Sequence, residues 1–327
     1  MSAGALSARP LSSDSMLLPT TSSRSRCATS WRRSCRQRAH SVPMSPAFPG
    51  PPGLASPGPA ASVRTYPAWL VGGPLPRLRY DDPNVLDFLR RGEPCVLTGG
   101  CPLTRRLIGR WTWDYLAERF GNRESLTAHW APRSVRRFTR FYGRGLGEGG
   151  VTGMSFKRFA HTVAANEREP SPQWRWYMQA PVVWAEGRGR GSEVGGQLRT
   201  PMGEFYHTPC EGAVAEDLAA LDFEWLQHAC EVAHCQGLHS CTLWAGHGGG
   251  ATPMHFDALS NFFTQLRGRK QVLVFPPSQS FHVYPYPRTH PMDTYAIADV
   301  EKPDLDRLPA LARARGLEAT LEPGDVL

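Results

Sequence analysis

The chain has 327 residues, 41% of them hydrophobic, and a formal net charge of +8. That length holds one large domain or two small ones, and the apolar content is enough for a core. The charge excess belongs to residues 1–65, with eight arginines, no lysine and the single acid Asp14; residues 66–327 carry 29 basic against 28 acidic groups. So neutral a body lacks the electrostatic footprint of a nucleic-acid binder. No run of 18 apolar residues suggests a membrane span.

Residues 1–65 are rich in Ser, Arg, Pro, Gly and Ala and lack the apolar periodicity that buries a helix face. They predict a disordered tail, or an organelle transit peptide, since such segments are Arg- and Ser-rich and poor in acids. The body divides into a supporting part over 66–238 and a barrel part over 239–327. In the first, residues 84–91 predict a short helix and Pro94–Thr98 a buried strand. WTWDYLAERFGN, 111–122, predicts a helix closed by Gly121, from the spacing of Trp111, Tyr115, Leu116 and Phe120. SFKRFAHTVAAN, 155–166, predicts a second helix, capped by Ser155, that buries Phe156, Phe159 and Val163.

WRWYMQAPVVW, 174–184, predicts a strand, and the glycine-rich stretch 185–209 a loop. DFEWLQHACEVAHC, 222–235, predicts a helix. Its cysteines, spaced Cys230, Cys235, Cys241 among three histidines, fit no common zinc pattern and predict buried thiols. From 239 onward short strands alternate with Gly and Pro turns: HSCTLWAGH, HFDALSNFFTQLRG, KQVLVFPP and LEATLEPGDVL. Helices first and closely spaced strands after predict a mainly β protein with flanking helices, an α+β arrangement around an antiparallel jelly roll.

The chemistry concentrates in TPMHFDALSNFF, 252–263. On a strand, His255 and Asp257 share one face while Phe256 takes the other. Two ligand-capable groups a few ångströms apart suit a metal ion. Lys270 opens the strand after the Gly268 turn, where a buried ammonium is costly unless an anion pairs with it. A metal-bound 2-oxo acid supplies that anion. Two histidines and one carboxylate on a face of an octahedron would leave three positions for the oxo acid and dioxygen.

TPMHFDALSNFFTQLRGRKQVLVFPP, with YPYPRTHPMD, KPDLDRLP and LEPGDVL, resembles the jumonji-C (cupin-like) 2-oxoglutarate oxygenases, and among them the asparaginyl hydroxylases. The likeness reaches upstream through WDYLAERFGN and WRWYMQ to about residue 75. It implies a double-stranded β-helix, with Fe(II) as metal and 2-oxoglutarate as cosubstrate. His255 and Asp257 would be iron ligands. Tyr177, Thr252 and Lys270 would hold the far carboxylate of the cosubstrate, Asn261 would line its pocket, and Gln179 would face substrate. The substrate would be a protein or peptide side chain, hydroxylated with O2, in cytoplasm or nucleus.

Two features depart from that pattern. The resemblance puts the second histidine ligand about ten residues after the GDVL strand, so the chain ending at Leu327 reads as a fragment lacking its last strands. Thr294 and Tyr295 stand where the asparaginyl hydroxylases carry an Arg-Gln pair, which leaves the target residue open. The alternatives are an N-methyl-lysine demethylase, using the same iron chemistry, and a catalytically inactive barrel that only binds. The sequence does not fix the oligomeric state.

Overall fold

The computed structural model describes residues 5–10, 65–120, 126–137, 149–168, 173–186, 194–210 and 212–327. In chain order the strands are β1 (Ala5–Pro10), β2 (Val71–Pro74), β3 (Arg77–Arg79), β4 (Val96–Thr98), β5 (Leu126–Pro132), β6 (Gly150–Met154), β7 (Trp174–Ala185), β8 (Gly196–Thr200), β9 (Gly203–His207), β10 (Cys235–Gly246), β11 (Ser260–Phe263), β12 (Lys270–Val274) and β13 (Gly316–Leu321). The helices are α1 (Val85–Arg91), α2 (Trp113–Phe120), α3 (Phe156–Arg168), α4 (Gly212–Ala219) and α5 (Phe223–Val232). None of them is long and apolar enough to cross a membrane.

The main sheet runs in the order β11-β1-β10-β7-β5-β6, with β8 and β9 as a hairpin on β7. All its described pairings are antiparallel, as a jelly roll requires. A second sheet is β12-β13-β2, and β3 and β4 form a parallel pair; Val326 bridges Leu97 of β4 and Thr264, the residue after β11 of the main sheet. The fold is therefore cupin-like: mostly β, with helices packed on the outside. The division expected at residue 238 falls inside β10, which pairs with β7 along most of its length.

Four of the five described helices form where the sequence predicts them; α4 is unexpected. Ser155 Oγ accepts the Arg158 amide at 3.1 Å and so caps α3. Phe156, Phe159 and Val163 are at most 1% exposed. Phe156 meets Phe120 of α2 at 5.4 Å between ring centroids and Trp113 at 5.9 Å. Each such ring contributes roughly 1.5–3 kcal/mol by leaving water. Asp222 caps α5 through the Trp225 amide, and Gly92 closes α1 in the left-handed region, where glycine has no Cβ penalty.

Three expectations change. The stretch 185–209 is not all loop: β8 and β9 form a hairpin over it that buries Leu198 and Phe205, turning at Gly203 with φ +118°. Within the expected tail, residues 5–10 form a strand between β10 and β11, with Leu6 opposite both Cys241 and Phe262. Main-chain pairing to a strand edge needs no side-chain alternation, so the composition carried no sign of it. The rest of the tail lies outside the described residues. Lastly, HFDALSNFFTQLRG is strand only over Ser260–Phe263; His255 makes an isolated bridge with Tyr295.

Candidate functional site

One face of the sheet builds the floor of a cleft of about 320 Å³. Across β10, β7 and β5 the register aligns Gly246, Tyr177 and His129 in one row, and Trp244, Gln179 and Thr127 in the next. Alternation sends the intervening residues Ala128, Met178 and Ala245 into the core, each with no exposed surface. The same alternation turns Tyr177, Gln179, His129 and Trp244 toward the cleft, and all four line it.

The opposite wall is the loop carrying Thr252, His255, Phe256, Asp257 and Ala258, together with Thr294 and Tyr295. Backbone pairing holds these two segments together. The Phe256 amide donates to Thr294 O, and the Ala296 amide donates to Met254 O, each at 2.9 Å. The His255 and Tyr295 rings lie 5.5 Å apart. The YPYP turn feeds this segment, since the Tyr286 amide donates to Tyr295 O.

His255 Nδ1 lies 2.8 Å from Pro253 O, a carbonyl that can only accept. In the neutral ring the proton therefore sits on Nδ1, and Nε2 carries the lone pair. Nε2 is 3.7 Å from Asp257 Oδ1. The other oxygen of Asp257, Oδ2, accepts from Asn261 Nδ2 at 3.0 Å. One lone pair and one carboxylate oxygen thus converge, each oriented from behind by a hydrogen bond, in the manner of metal-ligand outer shells. Among the described residues no third His, Cys, Asp or Glu joins them.

His247 and His290 are engaged elsewhere. His247 accepts the Trp176 amide on Nδ1 and meets Asn166 on Nε2, and His290 Nδ1 accepts the Met292 amide.

Deeper in, the Tyr177 hydroxyl hydrogen-bonds with Thr252, and burial pushes its pKa upward. Gly246 makes room for this ring: a Cβ there would stand 2.9 Å from Tyr177 Cδ2 and 3.0 Å from Trp176 O. Lys270 opens β12, as expected, but is not part of the cleft wall. Its Nζ lies 4.8 Å from the Phe263 ring centre, and burial lowers its pKa to about 8.

The structure therefore brings Tyr177, Gln179, Thr252, His255, Asp257, Thr294 and Tyr295 into one cleft. It places Asn261 behind Asp257 and leaves Lys270 beneath Phe263. Sequence reading missed His129 and Trp244. His129 stands on β5, two strands from the motif, and Trp244 read as an ordinary strand aromatic; only the register puts them beside Tyr177 and Gln179.

Comparison with known proteins agrees with the fold. The family description "Cupin-like domain" matches residues 85–327. The chain is 38% identical over 84 residues to lysine-specific demethylase 8 of Danio rerio, covering 26% of this chain and 20% of that protein. It is 34% identical over 73 residues to tRNA wybutosine-synthesizing protein 5 of Danio rerio, 22% of this chain and 21% of that one. Against the HSPB1-associated protein 1 homolog of Danio rerio it is 38% identical over 88 residues, 26% and 20% of the two chains. The chain thus spans about a fifth of the length of these relatives. The family match runs from α1 to Leu327 and takes in every residue of the cleft, with β1, β2 and β3 before it, and the chain belongs to the cupin-like domain family.

Proposed function

We propose that the cleft is the reaction chamber of an Fe(II)- and 2-oxoglutarate-dependent oxygenase that hydroxylates a protein side chain. The observation that carries this reading is the arrangement of His255 and Asp257. A proton held on Nδ1 by Pro253 O leaves Nε2 open, 3.7 Å from an Asp257 oxygen. An imidazole nitrogen beside a carboxylate oxygen fits Fe(II), and so does the outer hydrogen bond from Asn261. When bound, the metal and the oxo acid supply the activation of dioxygen and the two-electron oxidation.

The protein's own residues would bind, orient and exclude water. Tyr177 and Thr252, already hydrogen-bonded to each other, would share the far carboxylate of the cosubstrate. Lys270 would be its counter-cation: an ammonium disfavoured by burial gains most from an anion that takes water's place. Phe256, Tyr295 and Trp244 would keep the chamber dry and shape it around the substrate. Gln179, Thr294 and Tyr295, at the wall, would meet the substrate.

A relative named as a lysine-specific demethylase and another named for tRNA wybutosine synthesis are both consistent with oxygenase chemistry. The protein-directed reading for this chain follows from its near-neutral body. The test is anaerobic titration with Fe(II) and 2-oxoglutarate, followed by the visible charge-transfer absorption of the ternary complex. His255→Ala should abolish the band, and Lys270→Ala should raise the oxo-acid concentration needed to reach it. An unaltered band in His255→Ala would refute the assignment.

A further inference from the structure

Between β10 and β11 lies a slot one strand wide, roughly 9–10 Å at ordinary strand spacing, and β1 fills it. β1 pairs antiparallel with both neighbours. Leu6 and Ala8 stand opposite Phe262 and Ser260 of β11, and Ser7 stands opposite Ser240 of β10. On its other edge β11 is held by the chain near Leu327: the Phe263 amide donates to Leu327 O at 2.7 Å, and the Leu327 amide donates to Phe263 O at 2.9 Å. Main-chain groups alternate sides along a strand, so those of Ser260 and Phe262 point to β1. Between these two stands Asn261, whose side chain donates to Asp257 at 3.0 Å. β1 thus fixes the backbone on both sides of the residue that orients the carboxylate.

The hold of β1 on this slot is loose. Its register with β10 slips twice, between Ser7 and Ala8 and again between Ala8 and Pro10, and Pro10, opposite Cys235, has no amide to donate. Residues 11–64 lie between β1 and the next described segment, a length of chain that at full extension spans on the order of 180 Å and can reach a neighbouring copy. If β1 leaves, β10 and β11 each present a row of unpaired amides and carbonyls, a template for another strand. β11 itself keeps its place through Leu327 and through Phe262, whose ring centre is 5.5 Å from that of Trp225 on α5. Emptying the slot therefore loosens β11 without dismantling the sheet.

We propose that the slot between β10 and β11 is a strand-binding site in which residues 5–10 of one copy exchange with the same residues of a second copy, and that its occupancy sets metal affinity through Asn261. The ligand is read as extended main chain with donors and acceptors on both edges. The slot is independent of the oxygenase reading; only its effect on affinity rests on the metal.

The test uses the full 15N-labelled chain and a synthetic peptide of residues 2–11 carrying an N-terminal nitroxide. The peptide should broaden the Ser260 and Phe262 amide resonances to saturation, and the same peptide N-methylated at Leu6 and Ser7 should not. Leu6→Pro combined with Ser7→Pro removes a donor toward each edge and empties the slot. With no tethered competitor, this double variant should take up the peptide at a concentration lower by about tenfold or more. Its Zn(II) affinity, measured against a chelator, should fall about tenfold, as outer-shell losses do, and the peptide should restore it. Concentrated wild type should form dimers in light scattering that the double variant does not form. Melting temperatures show whether the double variant folds; if it does not, the wild-type titration and light scattering carry the test.

Failure of the unmethylated peptide to reach Ser260 and Phe262 would overturn the slot, and so would equal binding by the N-methylated one. A wild type that stays monomeric at every concentration would overturn exchange between copies. Unchanged Zn(II) affinity in the emptied chain would overturn the link through Asn261. A wild-type chain with no measurable Zn(II) affinity would instead overturn the metal reading, while the peptide titration still decides the slot.

Discussion

His255 donates its Nδ1 proton to the Pro253 carbonyl, two residues back in its own loop, and this short contact fixes Nε2 as the nitrogen that looks at Asp257. A carbonyl acceptor so placed settles the tautomer before any ligand arrives. The acid is prepared in the same way by Asn261.

Removing that preparation should weaken the metal without removing a ligand. Asn261→Ala frees one Asp257 oxygen to rotate, and outer-shell losses of this kind lower metal affinity about 10- to 100-fold. Competition against a chelator of known affinity measures it. Equal affinity in variant and wild type would mean that Asn261 does not orient Asp257.

Lys270 should make both stability and cosubstrate binding depend on pH. Its folded pKa, about 8, lies below the ordinary lysine value of 10.5, so between the two the unfolded chain binds more protons than the folded one. Stability from this group therefore rises with pH across roughly 8 to 10.5, while below 8 the desolvation of the ammonium opposes folding. Lys270→Met should stabilise the ligand-free chain by on the order of 1–3 kcal/mol at pH 7, measured by urea denaturation. In the wild type, 2-oxoglutarate affinity should fall as pH climbs past 8, and that dependence should vanish in Lys270→Met.

Gly246→Ala tests the close approach of β7 and β10. The new methyl would stand 2.9 Å from the Tyr177 ring and 3.0 Å from a rigid carbonyl, so the ring must shift toward the cleft. We expect a loss of about 1–3 kcal/mol in stability and weaker 2-oxoglutarate binding in calorimetry. Binding equal to wild type would show that Tyr177 does not need its present position.

Asp217 should matter for stability alone. Its carboxylate accepts from Trp111 Nε1 at 2.9 Å and the Tyr115 hydroxyl at 2.7 Å, and pairs with Arg110 at 2.8 Å. It thereby ties α2 to α4, away from the cleft. Asp217→Ala leaves the buried indole N–H without its acceptor and should cost about 3 kcal/mol in urea denaturation. Metal affinity of the folded protein should stay unchanged; a change would mean that the helical layer reaches the site.

The parts legible in sequence are those where near neighbours decide. Ser155 and the Phe156, Phe159, Val163 spacing specify a capped amphipathic helix, because cap and stripe both lie within a few residues. His255 and Asp257 share a site because they are two residues apart in the chain. Their placement together does not come from a regular strand, though. It comes from backbone pairing with Thr294–Ala296, some forty residues later.

The strand at residues 5–10, the hairpin of β8 and β9, and the inclusion of His129 and Trp244 were beyond local reading. Each depends on a partner strand far away in sequence, and hydrogen bonding between main chains leaves little trace in composition.

By itself, then, the sequence determined four of the five described helices, the mainly β texture, the likeness to the cupin-like oxygenases and the pair of groups suited to a metal. Tertiary structure alone decided which nitrogen of His255 is open, that Lys270 lies under Phe263, and that His129 and Trp244 line the cleft beside Tyr177 and Gln179. The physical reason is range. Periodicity and capping act over one or two turns of chain, whereas tautomers, desolvation and the lining of a cleft are set by whatever the register brings alongside.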